Sequence, residues 1–129
     1  MNLEKVVFGF FVILAATLNF GFFIGDLGEP ELHSVYELFA AVVVNLIATI
    51  LKFGDRTQIG AMHIATSLVA SLQLIAAAVV WTYCVNIASD GVLSTEQTAA
   101  VVSLSGGALF ANVISVVLLV IETVSFQRR

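Results

Sequence analysis

Residues 35–56, VYELFAAVVVNLIATILKFGDR, decide the fold class, because a long apolar run here contains only a few polar side chains. A hydrocarbon core about 30 Å thick is crossed by about 20 helical residues, and the run from Val35 to Phe53 has that length. Its apolar residues surround the helix instead of forming one stripe, which is typical of a helix solvated by lipid. The stretch therefore predicts a membrane-spanning helix followed by a polar turn.

The composition of the whole chain indicates an integral membrane protein. Hydrophobic residues make up 60% and charged residues 11% of the 129 residues, whereas soluble domains contain about 45–50% and about 25%. Mean hydropathy is +1.06. Four apolar runs are long enough to span a bilayer, at about 6–24, 35–53, 59–85 and 99–124. We expect one four-span transmembrane domain over residues 1–129.

The loops between these runs predict how the helices connect. The connection between the second and third runs is so short that these two helices must be antiparallel neighbours. We therefore predict an all-α protein, an integral membrane four-helix bundle with up-down-up-down topology and no separate soluble domain.

The basic residues predict the orientation of this bundle. All five would lie on one side of the membrane, and the opposite loops contain acidic residues and no Lys or Arg. By the positive-inside rule, the N and C termini are then cytoplasmic. We expect a multi-pass protein of the bacterial inner (plasma) membrane. The basic residues are Lys5, Lys52, Arg56, Arg128 and Arg129.

Amide side chains occupy the middle of the predicted spans. Counting from the ends of the runs places Asn45, Gln73 and Asn112 at roughly one depth. An unsatisfied amide in hydrocarbon costs several kcal/mol, so each should face protein or water. Two interpretations remain open: the amides hydrogen-bond to one another and fix helix register, or they line a hydrated path and replace part of an ion's hydration shell.

Carboxylates gather at the predicted outer end of the bundle. Asp26, Glu29 and Glu31 lie in the first loop, and Glu37 lies in the first turn of the second helix. Together they would concentrate cations at the mouth of a pathway. Glu37 has a simpler alternative role, since a carboxylate in a first turn complements the positive end of the helix dipole.

His63 lies near the predicted cytoplasmic end of the third helix. It is either a hydrogen-bonded packing residue or, if it faces an aqueous vestibule, a pH gate, because an unperturbed imidazole has a pKa of about 6.5.

Small residues form a ridge on the fourth helix at Gly107, Ala111 and Ser115. Their four-residue spacing lets another helix approach closely, as is usual for helix association in lipid.

Several function classes lack their motifs. The sequence contains no HExxH, no paired Cys, no GxSxG and no phosphate-binding glycine loop. Five basic residues give no nucleic-acid patch. We expect a protein that is not an enzyme, with no catalytic residues, metal site, cofactor or nucleic-acid partner.

Two hypotheses for function remain. The first is a homo-oligomeric ion channel or simple permease for an inorganic cation. Four packed helices fill their own core, so its path is expected between subunits in a ring. Glu37 and Asn45 are the first candidates for the path, with Gln73 and Asn112 as alternatives and His63 as the gate. The second hypothesis is a non-conducting accessory or scaffold subunit of a larger membrane complex.

Overall fold

The computed structural model describes residues 3–24, 35–54, 57–88 and 93–127, and all the secondary structure in these ranges is helical. Four long helices are each long and apolar enough to cross a membrane, so the prediction of an all-helical chain with four candidate spans is confirmed. The helices are α1 (Leu3–Phe23), α2 (Val35–Lys52), α3 (Gln58–Tyr83) and α4 (Thr95–Gln127), and one π-helical turn, Cys84–Ala88, follows α3.

Polar side chains fix the first residues of the last two long helices. The Thr57 hydroxyl oxygen accepts a hydrogen bond from the Gly60 amide at 3.0 Å and caps α3. Before α4, the Ser94 amide donates to Gln97 Oε1 at 2.9 Å, and the Gln97 amide donates to Ser94 Oγ at 3.1 Å. This capping box starts α4 at Thr95, ahead of the apolar run that begins near residue 99.

Contacts between helices show that neighbours are antiparallel. Lys5 at the start of α1 pairs with Glu122 near the end of α4, and Asn19 near the end of α1 bonds Ser105 in the first half of α4. Among the described helices, α1 packs on α2 and α4, and α3 packs on α2 and α4. The four helices therefore form a closed bundle in which α1 and α4 are adjacent.

Many interior residues are small, beside a few large ones such as Phe22 and Leu74, and many large apolar residues face outward. Alanines in the interior allow the helices to approach closely, while exposed side chains such as Phe10, Ile50, Leu72 and Phe110 cover the outside. This distribution suits a bundle surrounded by lipid, because large apolar groups on its surface need no protein partner there. The buried alanines are Ala15, Ala41, Ala48, Ala70, Ala77, Ala78, Ala108 and Ala111.

Candidate functional site

The two asparagines predicted at mid-span lie inside the bundle, not on its surface. Asn45 is 1% exposed and Asn112 is 3% exposed. Asn45 Nδ2 donates to the Ala41 carbonyl of its own helix at 2.9 Å. The buried Asn112 Nδ2 has no hydrogen-bond partner among the described residues. Asn45 Nδ2 therefore has a hydrogen-bond acceptor within α2, whereas Asn112 Nδ2 can still donate a hydrogen bond to a further molecule such as water.

Gln73 lies in the contact between α3 and α4, away from the level of Asn112. A Cβ atom added at Gly107 would lie 2.7 Å from Gln73 Oε1, which places the two residues side by side. Gly107 is five residues, or about 7.5 Å of helical rise, from Asn112 on α4. The amides thus lie at more than one depth, and in the described residues no hydrogen bond joins two of them.

The end of the bundle that holds Glu37, which we call the Glu37 end, contains another buried amide, that of Asn19. Ser105 Oγ donates to Asn19 Oδ1 at 2.6 Å, and both residues are fully buried. Asn19 Nδ2 is buried without a hydrogen-bond partner in the described part of the chain. Asn19 thus joins α1 to α4 and still has donor capacity.

Glu37 directs its carboxylate onto the backbone of α1. A Cβ atom added at Gly21 would lie 1.8 Å from Glu37 Oε2, so only glycine leaves room for the carboxylate here. This position is close in sequence and in space to Asn19 on the same helix. The predicted acidic partners in the first loop, Asp26, Glu29 and Glu31, lie outside the described residues.

The opposite end, the Glu122 end, brings together ionisable groups from all four helices. Lys5 from α1 forms an ion pair with Glu122 Oε2 from α4. His63 from α3 is fully buried, with Nε2 3.7 Å from Glu122 Oε1. We call Lys5, Phe8, Lys52, His63 and Glu122 the Glu122 cluster.

The Phe8 ring contacts two other side chains of the Glu122 cluster, His63 and Lys52. Its ring centroid is 4.9 Å from that of His63 in an edge-to-face arrangement. Lys52 Nζ from α2 lies 4.6 Å from the centroid of the Phe8 ring, within the range of a cation–π contact. Ionisable side chains inside a membrane protein usually have a functional role, so this cluster is a candidate site together with the buried amides.

Hydroxyl groups lie between the two ends of the bundle. The Thr49 and Ser71 hydroxyl oxygens are 3.5 Å apart and join α2 to α3. Thr66 and Ser115 hydroxyls form a hydrogen bond between α3 and α4. Together with the amides, these groups form what we call the polar interior. It extends from Asn19 near the Glu37 end to Glu122 at the other end and includes Asn45, Thr49, Thr66, Ser71, Gln73, Ser105, Asn112 and Ser115.

The ridge predicted on α4 is used within the chain. Gly107 packs against Gln73, and Ser115 is bonded to Thr66, so both face α3. Ala111 is buried in the core. These small residues thus let another helix approach α4 closely, and that helix is α3 of the same chain.

Polar residues follow the inner face of α4, and Thr98, Ser105 and Glu122 among them are not in the set of sequence-predicted site residues. Thr98, Ser105 and Asn112 are buried and seven residues apart, and Ser115 and Glu122 repeat that spacing. The helical rise places Thr98 and Glu122 about 36 Å apart, which exceeds a hydrocarbon core of about 30 Å. The seven-residue spacing of polar residues was a readable signal for a polar face along the whole span.

Comparisons with known proteins identify a family. No curated protein and no solved structure matches the chain. The profile of the family of unknown function DUF6394 matches residues 32–123, which include α2, α3 and most of α4. Since this match covers more than half of the chain, the protein belongs to DUF6394.

Proposed function

We propose that the protein is a small membrane permease for a cation and that the path follows the polar interior of a single bundle. The observation that carries this proposal is a set of buried amide atoms. Asn19 Nδ2, Gln73 Oε1 and Asn112 Nδ2 have no hydrogen-bond partner among the described residues. They belong to three helices and lie at different depths.

Such atoms require partners that the described protein does not supply. A buried polar group without a hydrogen bond costs about 1–3 kcal/mol, and in a bilayer there is no bulk water to relieve it. Water inside the bundle would satisfy these atoms, because a water molecule accepts from the Asn19 and Asn112 Nδ2 groups and donates to Gln73 Oε1. Their distribution along the interior therefore favours a hydrated route over one isolated water site.

The location of the amides determines where we place the path. Asn45 and Asn112 are enclosed by the helices of one chain, so the proposed path runs within the bundle and not between subunits. A ring of copies is not needed to form it.

The orientation of the path follows from the basic residues. Lys5 and Lys52 both lie at the Glu122 end. By the positive-inside rule we propose that this end and both termini face the cytoplasm. Glu37 then lies at the outer end, where its carboxylate attracts cations.

A non-conducting subunit of a larger complex is the second candidate. The observation that favours it is that two buried polar side chains of α2 bond carbonyl groups of their own helix. Asn45 Nδ2 donates to the Ala41 carbonyl, and Thr49 Oγ1 donates to the Asn45 carbonyl, both at 2.9 Å. Both side chains thus find a hydrogen-bond partner within their own helix. A complex partner would then pack on the outer faces of the bundle.

Flux through reconstituted protein separates the two candidates. The purified protein is placed in liposomes, and cation fluxes are measured for the wild type, Asn112→Leu and Val113→Leu. Val113 is the neighbouring lipid-facing position on α4, 47% exposed. We expect wild-type flux, a loss of about tenfold in Asn112→Leu, as the loss of one hydrogen bond to water in the path implies, and no loss in Val113→Leu. Wild-type liposomes without any cation flux would instead favour the accessory subunit.

A further inference from the structure

On the basis of the permease function above, we propose that the transported cation is the proton and that Glu122 is its exchange group at one end of the path. In this assignment Lys5 holds one carboxylate oxygen and His63 is the partner that exchanges a proton with the other. The inference rests on the spacing of the polar interior and on the composition of the Glu122 cluster.

The spacing of the polar groups does not suit a metal ion. Ca²⁺ takes about 6–8 oxygen ligands and Mg²⁺ requires near-octahedral coordination, and K⁺ is bound by rings of carbonyl oxygens. On α4, Ser105 and Asn112 are seven residues, about 10.5 Å of rise, apart. Within the described ranges, no group of three or more His, Cys, Asp or Glu side chains is arranged to hold a metal.

The packing of the interior also restricts what can pass. Buried alanines bring the helices together between the polar levels, with Ala41 and Ala48 on α2 and Ala70 on α3. A hydrated metal ion needs a wide pore, whereas a proton moves along hydrogen bonds between hydroxyl groups and single water molecules. A hydroxyl suits this movement because it both donates and accepts. Such groups lie at Thr49 and Ser71, and at Thr66 and Ser115.

The charges of the Glu122 cluster favour a proton over a metal cation. Lys5 from α1 and His63 from α3 both approach Glu122 from α4, and Lys52 from α2 lies on the Phe8 ring that contacts His63. A metal cation that approached the Glu122 carboxylate would meet the ammonium group of Lys5, which is already paired with Oε2. A proton instead forms a covalent O–H bond with the carboxylate.

The geometry of Glu122 allows this exchange. Its Oε2 is paired with Lys5, while the buried Oε1 has no hydrogen bond among the described residues and lies 3.7 Å from His63 Nε2. This separation is only slightly longer than a hydrogen bond of about 2.7–3.2 Å. A proton bound to Oε1 neutralises the carboxylate. Its transfer to the imidazole nitrogen breaks the O–H bond, forms an N–H bond and restores the ion pair with Lys5.

Proton flux is measured in liposomes that contain a pH-sensitive dye. A valinomycin-mediated K⁺ potential drives the movement, and all other metal cations are replaced by N-methyl-glucamine. In separate vesicles without valinomycin, K⁺ and Na⁺ fluxes are followed with ion-selective dyes. The variants are Glu122→Gln, and as matched control Glu96→Gln, which makes the same change at an exposed position of the same helix.

We expect wild-type proton flux that does not depend on Na⁺, a loss of about tenfold or more in Glu122→Gln, and wild-type flux in Glu96→Gln.

K⁺ or Na⁺ flux without proton flux in the wild type would overturn the proton assignment and leave the permease function standing. Absence of every cation flux would overturn both. Because these outcomes concern the wild type, a failure of the Glu122 variant to fold does not obscure them. Proton flux that persists in a folded Glu122→Gln variant would overturn the role of Glu122.

Discussion

Asn19 and Asn45 show two ways in which an amide can lie inside a bundle of apolar helices. Asn45 donates to a carbonyl of its own helix and so needs no other element. Asn19 accepts a hydrogen bond from Ser105 on α4, and its Nδ2 group stays without a partner among the described residues. The second arrangement ties two helices together and also leaves a position for water, which is why Asn19 has a central place in the proposed path.

The Asn19–Ser105 hydrogen bond gives the first prediction. Ser105→Ala should lower the free energy of unfolding by about 0.6–1.7 kcal/mol, the range found for interhelical hydrogen bonds in membranes. Ser103→Ala, two residues away at an exposed position of α4, should leave it unchanged. Unfolding in mixed micelles titrated with a denaturing detergent measures both. Equal losses in the two variants would show that the hydrogen bond does not stabilise the bundle.

The fit of Glu37 against Gly21 gives the second prediction. Gly21→Ala places a methyl group where Glu37 Oε2 lies, so the two positions should be coupled by at least about 0.5 kcal/mol. The coupling is measured with a double-mutant cycle of Gly21→Ala and Glu37→Ala. The change in helix propensity at position 21 is common to both backgrounds and cancels. Additive stabilities would mean that the carboxylate lies elsewhere.

At the scale of the elements, α4 determines the polar interior. It is 33 residues long, about 50 Å by helical rise, and carries buried polar residues along its inner face from Thr98 to Ser115. Its start depends on Ser94 and Gln97, which make a reciprocal pair of hydrogen bonds. These two polar residues precede the apolar run, so hydropathy alone places the start of the helix too late.

The third prediction concerns this capping box. Ser94→Ala removes the side chain that accepts the Gln97 amide and should cost about 1 kcal/mol of stability. Ser125→Ala, an exposed change in the last turns of the same helix, is the matched control and should cost nothing. Thermal unfolding followed by circular dichroism compares them. A stable Ser94→Ala variant would show that α4 does not depend on this cap.

At the scale of the whole molecule, the number of helices was predictable and their mutual contacts were not. Four apolar runs indicate four helices because each run alone is long enough to span a bilayer. The contact between Lys5 and Glu122 depends on the adjacency of α1 and α4, which no short loop dictates. Likewise, counting residues placed Gln73 level with Asn112, but the packing of α3 on α4 sets Gln73 against Gly107.

The fourth prediction tests the orientation of the bundle. In a Cys84→Ser background, single cysteines are placed at Gly54, in the turn after α2, and at Ser94, before α4, both exposed. A membrane-impermeant maleimide should label Ser94→Cys in intact cells and Gly54→Cys only after lysis, because the positive-inside rule places Lys52 in the cytoplasm. The reverse pattern would invert the proposed path, and labelling of both in intact cells would contradict the four-span arrangement.

We propose that the interior of a single bundle is hydrated, and contact between water and the buried amides tests this proposal most directly. Solid-state NMR on the protein in lipid bilayers measures magnetisation transfer from water to the side-chain amides of Asn19 and Asn112. We predict water cross-peaks for both, since their Nδ2 groups are buried without a partner among the described residues, and none for Asn45, whose Nδ2 group is bonded to the Ala41 carbonyl. Amides of Asn19 and Asn112 that receive no magnetisation from water would contradict the account, because the interior would then be dry.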